Sequence, residues 1–251
     1  MRLPTLLAYS SATILLSLAA CGDRGRSDDA TFAKATEAQR QRAVMAASGT
    51  DAAIAYLIAS TFTAPGARSC PTVSTSGSTV TATFHCTDDS GSRLDGVIKA
   101  TNLAPIFGPG GGDFDPTKGQ VVELEGYRVH APEANRALGF DGANTIHPDR
   151  GMDVALDATL LGAAVYTDAT FDRSADRTFA AAGSFVDLDG LGRADIAGTW
   201  NLTDDAPAGM LELKGADTLR ADIAAMVDGC VPLTIDGGAA GELCLQTADE
   251  E

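Results

Sequence analysis

Three histidines, five cysteines and 34 carboxylates are the groups in this 251-residue chain that could do chemistry. His85, His130 and His147 stand apart, without the H-E-x-x-H or H-x-H spacing that puts two imidazoles on one zinc ion. No G-x-S-x-G elbow and no S-x-x-K pair occurs, so no local motif activates a serine. A triad assembled from dispersed residues would still need one of those histidines beside a serine and a carboxylate. The densest acidic run is Asp187-Leu188-Asp189-Gly190-Leu191-Gly192-Arg193-Ala194-Asp195. It begins like a calcium loop, with Asp187, Asp189 and Asp195 as the weak candidate ligands. The third acidic position is missing, glycine comes early, and no Glu closes the loop at its twelfth position. A plain Asp-Gly turn is the expected reading, with no metal. Gly110-Gly111-Gly112 is not followed by Lys-Ser/Thr, so it is not read as a phosphate cradle. No cofactor is expected.

The cysteines fall into two kinds. Cys70, Cys86, Cys230 and Cys244 are an even set, which in an oxidising compartment implies bridges. Four cysteines allow three connectivities. Local pairing is favoured because Cys70 and Cys86 flank a turn at Gly77-Ser78, and Cys230 and Cys244 flank one at Asp236-Gly237-Gly238. Each pair sits about a glycine turn as the arms of a hairpin would.

Cys21 is different. It follows an apolar run from Leu6 to Leu18 behind a single charge, Arg2. That run is shorter than the roughly 20 residues a membrane-spanning helix needs and suits a secretory leader. Its end, Leu18-Ala19-Ala20-Cys21-Gly22, resembles the lipobox of bacterial lipoproteins. The resemblance implies cleavage before Cys21, diacylglyceryl transfer to its thiol and acylation, typically with palmitate, of the freed amine. Residues 1–20 are then a signal peptide, 21–30 a lipidated tether, and 31–251 the folded domain. Acyl chains contribute about 0.8 kcal/mol per buried methylene, so two or three of them make release negligible. In this family an Asp directly after the cysteine retains the protein in the inner membrane; here Gly22 stands there. The expected location is the outer membrane, on its periplasmic or surface face.

The elements that would position these groups are mostly strands. Thr31 to Ser48 is rich in Ala, Glu, Gln and Arg, which favours a helix, and Gly49 breaks it. A second helix capped by Thr50 or Asp51 carries Ile54, Leu57, Ile58 and Phe62 on one face. After Pro65-Gly66 the period changes to two. Thr72 to Cys86 reads as a hairpin, Leu94 to Leu103 and Val121 to Ala131 as strands, with Gly126 a bulge. Residues 104–119 form a long Pro/Gly-rich loop. From Met152 the alternation is cleanest: Met152, Val154, Leu156 and Ala158 oppose Asp153, Ala155, Asp157 and Thr159. It continues through Phe171, Phe185, Trp200 and Leu213, with short turns between. Asp153, Asp157, Asp168 and Asp172 fall on the opposite, solvated face. Residues 218–228 fit both a helix and a strand, and a helix ending at Gly229 is preferred. The expected fold is mainly β (α+β): N-terminal helices packed on a meander of nine or ten antiparallel strands, as a curved sheet or partly open barrel. Small residues on the apolar face (Ala169, Ala181, Gly183, Gly198) would accept the helix or line the barrel.

Charge and composition bound the function. Acidic residues outnumber basic ones 34 to 18, and a body of net charge −16 repels nucleic acid and anionic lipid headgroups alike. The expected partners are the bilayer, through acylated Cys21, and a protein or amphiphile. The whole layout resembles secreted lipoproteins of high-GC Gram-negative bacteria, which share the anchor, a short helix and a Cys-Pro hairpin such as Cys70-Pro71; that resemblance brings no activity with it. The first reading is a non-enzymatic structural or partner-binding lipoprotein. The element order also resembles periplasmic lipid-binding and lipoprotein-carrier lipoproteins, which implies an amphiphile cavity between helix and curved sheet. A carboxylate-dependent secreted hydrolase is the third, and it needs two carboxylates facing across a groove.

Overall fold

The computed structural model describes residues 28–63, 70–88, 91–103, 115, 117–130, 137–149, 151–160, 163–174, 178–187, 189–201 and 207–244. The leader, Cys21 and the glycine-rich part of the 104–119 loop lie outside the described residues. A capping box starts the first helix. Thr36 Oγ1 accepts from the Gln39 amide at 3.2 Å, and the Gln39 side chain accepts from the Thr36 amide at 2.9 Å. Two otherwise free donors are thereby satisfied, which sets the start of α1 (Glu37–Ala47). The residues before it, expected to be helical, make only a 3-10 turn at Phe32–Lys34. The amides of Phe32 and Ala33 donate instead to the Asp217 carboxylate, at 2.6 and 2.8 Å. After Gly49 the chain bends by 62° into α2 (Thr50–Thr63).

Thirteen strands follow: β1 (Thr72–Ser76), β2 (Thr79–Thr87), β3 (Arg93–Thr101), β4 (Gln120–His130), β5 (Ala137–His147), β6 (Gly151–Leu160), β7 (Ala163–Arg173), β8 (Thr178–Asp187), β9 (Gly192–Asn201), β10 (Ala208–Lys214), β11 (Thr218–Asp222), β12 (Cys230–Ile235) and β13 (Gly238–Cys244). They lie side by side in chain order, each neighbour antiparallel. β1 and β13 are both edges, so the sheet is open; of the two expected shapes, the barrel does not form.

The expected count of nine or ten strands is too low for physical reasons. In β5 the inward positions hold Gly142 and Asn144 beside Phe140, so the apolar alternation is broken although β5 pairs without a break with β6 and, on either side of a bulge, with β4. Residues 218–228 are a strand and a 3-10 turn (Ile223–Ala225) rather than a helix. Leu219 and Ala221 bury their side chains at period two, because β10 and β12 on either side supply the hydrogen bonds.

One face of the sheet is apolar and carries both helices. α1 lies against β7, β8, β10 and β13, and α2 against β2 to β6. Val154, Leu156, Phe185, Ile196 and Leu213 are buried beneath them, each worth about 1.5–3 kcal/mol on leaving water. At the far end of α2, Phe62 meets Phe84 and Phe84 meets Tyr127 with ring centroids 5.0 and 5.1 Å apart. Tyr127 faces inward only because the expected bulge exists. The register of β4 on β5 slips between Leu124 and Tyr127, and Gly126 there has φ of +57°.

The stretch before α1 is part of the body. The Ala30 amide donates to the Arg193 carbonyl at 2.7 Å, and the Ala30 carbonyl accepts from Ala216 at 2.8 Å. Asp28 to Ala30, expected as free tether, are therefore paired to the sheet at the start of β9 and the β10–β11 turn.

The bulge sets a test. Gly96 on β3 has φ of +109°, and a Cβ there would stand 2.5 Å from the Gly126 carbonyl oxygen. Gly96→Ala is expected to cost on the order of 3 kcal/mol in urea unfolding, whereas Gly77→Ala, with open space around it, loses about 1 kcal/mol through its backbone alone. Equal losses would mean that the β3–β4 approach is not tight.

Candidate functional site

The residues singled out from the sequence do not gather into a reactive centre. Cys70 pairs with Cys86 and Cys230 with Cys244, with Cα separations of 6.1 and 3.9 Å. These are the two local bridges, on the β1–β2 and β12–β13 hairpins, and each closes a loop worth about 3 kcal/mol in the chain-entropy account. Asp187 points inward and its side chain is fully buried; Arg42 from α1 reaches it at 3.2 Å, and the Asp189 amide donates to its other oxygen at 2.7 Å. Asp189 accepts from the Ala164 amide at 2.8 Å. Asp195 lies on the opposite face of β9, 3.8 Å from Arg193. The three candidate calcium ligands thus serve an ion pair, a turn and the surface. Among the described residues, ligand atoms converge only at Cys230, Glu242 and Cys244, where the two sulfurs are bonded to each other.

His85 is exposed and pairs with Asp95 at 3.0 Å; His130 is exposed at the end of β4. His147 bonds Asp153 at 2.7 Å, and Thr170 donates to the same carboxylate at 3.1 Å. Asp168 and Asp172 stand exposed on the outer face, as expected.

The feature that could bind something is a cleft. It lies where the bend between α1 and α2 leaves the end of the sheet uncovered, and its volume is about 790 Å³. Its sheet side is Met152, Phe171, Phe179 and Trp200; its helix side is Tyr56 and Leu57. Strand register explains the floor. Met152, Phe171, Ala181 and Gly198 form one cross-strand row, and Phe179 and Trp200 are partners in the next. The small residues leave a depression that the large ones wall. The Phe179 and Trp200 rings stack with centroids 6.1 Å apart and planes 20° from parallel, an arrangement that adds about 1 kcal/mol beyond burial. Gly49, with φ of +81°, lets the helix elbow sit against the Phe171 ring; a Cβ would come within 3.3 Å of it. Leu57 is half exposed at the mouth. Tyr56 donates to Gln120 at 2.9 Å, and burial pushes its hydroxyl above the ordinary range, so it stays a neutral donor.

Polar groups at the cleft are few: His147, Asp149 and Arg173 with Ser48 and Ser174. The Ser48 hydroxyl donates to the Met45 carbonyl at 2.8 Å, and that of Ser174 to Thr178 at 3.0 Å. Asp149 is the one carboxylate among the described lining residues, so the two-carboxylate geometry of a glycosidase does not occur there.

No family model, no curated protein and no solved structure matches this chain. The function therefore has to be argued from the cleft itself. Sequence reasoning had placed Leu57, Phe171 and Trp200 on apolar faces but missed that they line one cleft together. The available signal was that Phe171, Phe179 and Trp200 all fall near strand termini that an antiparallel meander brings to the same end of the sheet.

Beside the cleft, Asp51 in the first turn of α2 is buried, and its Oδ2 has no hydrogen-bond partner among the described residues. Burial pushes its carboxyl up to about 6. Asn144 beneath donates to the neighbouring Ala52 carbonyl at 3.1 Å. The folded state holds the Asp51 proton more tightly than the unfolded chain does. Stability is therefore highest below the unfolded value near 4 and falls as pH rises through about 6. Asp51→Asn should match the parent in urea unfolding at pH 4 and exceed it by on the order of 2–3 kcal/mol at pH 7.5. A difference independent of pH would show that the carboxyl is not strained by burial.

Proposed function

We propose that this chain is a lipid-anchored, non-enzymatic binding protein that holds the apolar part of an amphiphile in the cleft beside the helix elbow. The observation that carries the reading is the aromatic floor of Phe171, Phe179 and Trp200 in an apolar cleft of about 790 Å³ with half-exposed Leu57 at its mouth. That volume lies within the roughly 300–1,000 Å³ of small-molecule sites, and the mostly apolar lining with a few polar groups is their usual composition. Each methylene moved there from water contributes about 0.8 kcal/mol. The lipobox-like Leu18-Ala19-Ala20-Cys21 supports anchoring at a bilayer through Cys21, with the outer membrane as the location. No carboxylate pair or activated nucleophile stands among the described cleft residues, which favours binding over hydrolysis.

Trp200 is the sole tryptophan of the chain and lines the cleft, so it reports occupancy. The full chain in phosphatidylcholine vesicles, titrated with decyl glucoside below its micellar concentration, is expected to change its Trp200 emission saturably. Ala53, exposed on α2 and facing the cleft, can be enlarged without entering the core. Ala53→Phe should weaken the response at least about tenfold with an unchanged melting temperature. No response from the parent chain, or an equal one from the variant, would end the cleft reading.

The anchor has its own test. Cells fed radiolabelled palmitate should label the parent and not Cys21→Ala, and only the parent should sediment with outer membranes. Unlabelled parent protein in the soluble fraction would remove the anchor and leave the cleft untouched.

A further inference from the structure

The described arginines follow one rule, with one departure. Arg42, Arg93, Arg193 and Arg220 each meet a carboxylate, at 3.2, 2.8, 3.8 and 2.7 Å. Arg40 donates to the carbonyls of Phe32 and Ala35, and Arg128 to those of Tyr127 and Phe140. Arg173 alone has no described carboxylate or carbonyl on its guanidinium. Its contact is with an aromatic face: the guanidinium carbon lies 5.9 Å from the centroid of the Phe179 ring.

Its position gives this meaning. Arg173 ends β7 on the cleft lining. Phe179 beneath it stacks on Trp200, so the guanidinium rests on the outer end of the aromatic floor. Cation–π attraction favours this placement of the guanidinium, and no described carboxylate or carbonyl takes its N–H donors at the rim. Asp149, the lining carboxylate, is exposed on the β5–β6 turn and has no described contact with Arg173.

We propose that Arg173 is the headgroup clamp of the cleft and that the ligand is a single-chain anionic amphiphile. Its apolar tail lies on Met152, Phe171, Phe179 and Trp200, and its carboxylate or phosphate takes the guanidinium fork. This rests on the cleft reading above and narrows it to one headgroup charge. Planar, two-point recognition of such anions is what guanidinium does better than ammonium. The net charge of −16 repels any anion at long range, so the selectivity has to come from this short contact and not from a diffuse field.

The experiment compares headgroups on one tail length. The full chain in phosphatidylcholine vesicles is titrated with decanoate, decyl phosphate, decyl glucoside and decyltrimethylammonium, following Trp200 emission, with protein-free vesicles as the blank. Both anions, or one of them, should bind about tenfold or more tighter than the glucoside, and the ammonium weakest, the gain expected of one charge-assisted contact. Which anion leads identifies the headgroup as carboxylate or phosphate. Arg173→Gln should bring anion and glucoside affinities together, and Arg173→Lys should recover only part of the preference. If the parent chain binds anion and glucoside equally, or the variant keeps the preference, the clamp is wrong and the apolar cleft stands. If no decyl compound moves Trp200, the cleft reading itself has failed.

Discussion

The contact between a bent helix pair and one apolar face of a very wide sheet governs this molecule. Thirteen strands spaced about 4.8 Å apart give a sheet roughly 58 Å across. Helices of 11 and 14 residues are only about 17 and 21 Å long. Cover is therefore scarce, and the 62° bend decides where it is spent. Alanines of α1 and α2 lie close on the sheet, and the outside of the elbow is where cover runs out. The cleft is the remainder of that division. Its aromatic floor is continuous with the core, with Phe171 and Trp200 buried, and half-exposed Leu57 marks its mouth.

Because the strands run in chain order, every sheet pairing is between neighbours in sequence. Besides the apolar packing of the helices, described polar contacts tie distant parts of the chain together, three of them between the helical segment and the sheet. The Arg42–Asp187 pair joins α1 to the end of β8, Asn144 joins β5 to α2, and Asp217 holds the start of the helical segment. Each is polar and lies at or under the helix layer. Breaking a buried pair such as Arg42–Asp187 leaves an uncompensated charge, so these few groups fix where the helices sit while the apolar residues supply the driving force. The two bridges act only within hairpins and contribute nothing to that placement.

Much of this architecture was legible in the sequence because period two is a strong signal where one face is buried. Met152 to Ala158 and Ala194 to Trp200 are examples, as is the Gly126 bulge, and glycine turns at Gly77 and Gly237 marked the bridged hairpins. β5 was hidden because its inward positions carry a glycine and a hydrogen-bonding asparagine, chosen for the helix above and not for a hydrophobic pattern. β11 was ambiguous because five residues alternate as well as they spiral, and only the flanking strands decide. The acidic run from Asp187 looked like one motif, yet its carboxylates separate onto two faces of the sheet, which spacing alone does not reveal. The cleft was the least legible feature. It depends on how far two helices reach across the strands, and that distance is set by an elbow at Gly49, not by any residue in the floor.

The pairing of Ala30 with Arg193 and Ala216 has a consequence for orientation. These contacts lie at Arg193, at the beginning of β9, whereas Trp200 stands near its end; the two are seven residues apart along the strand, roughly 23 Å. Asp28 to Ala30 therefore sit at the end of the strands opposite the cleft. If the proposed anchor at Cys21 holds the body from that end, the aromatic mouth points away from the bilayer. Cargo would then be exchanged with whatever lies across the gap, in the manner of a mooring whose open side faces the water.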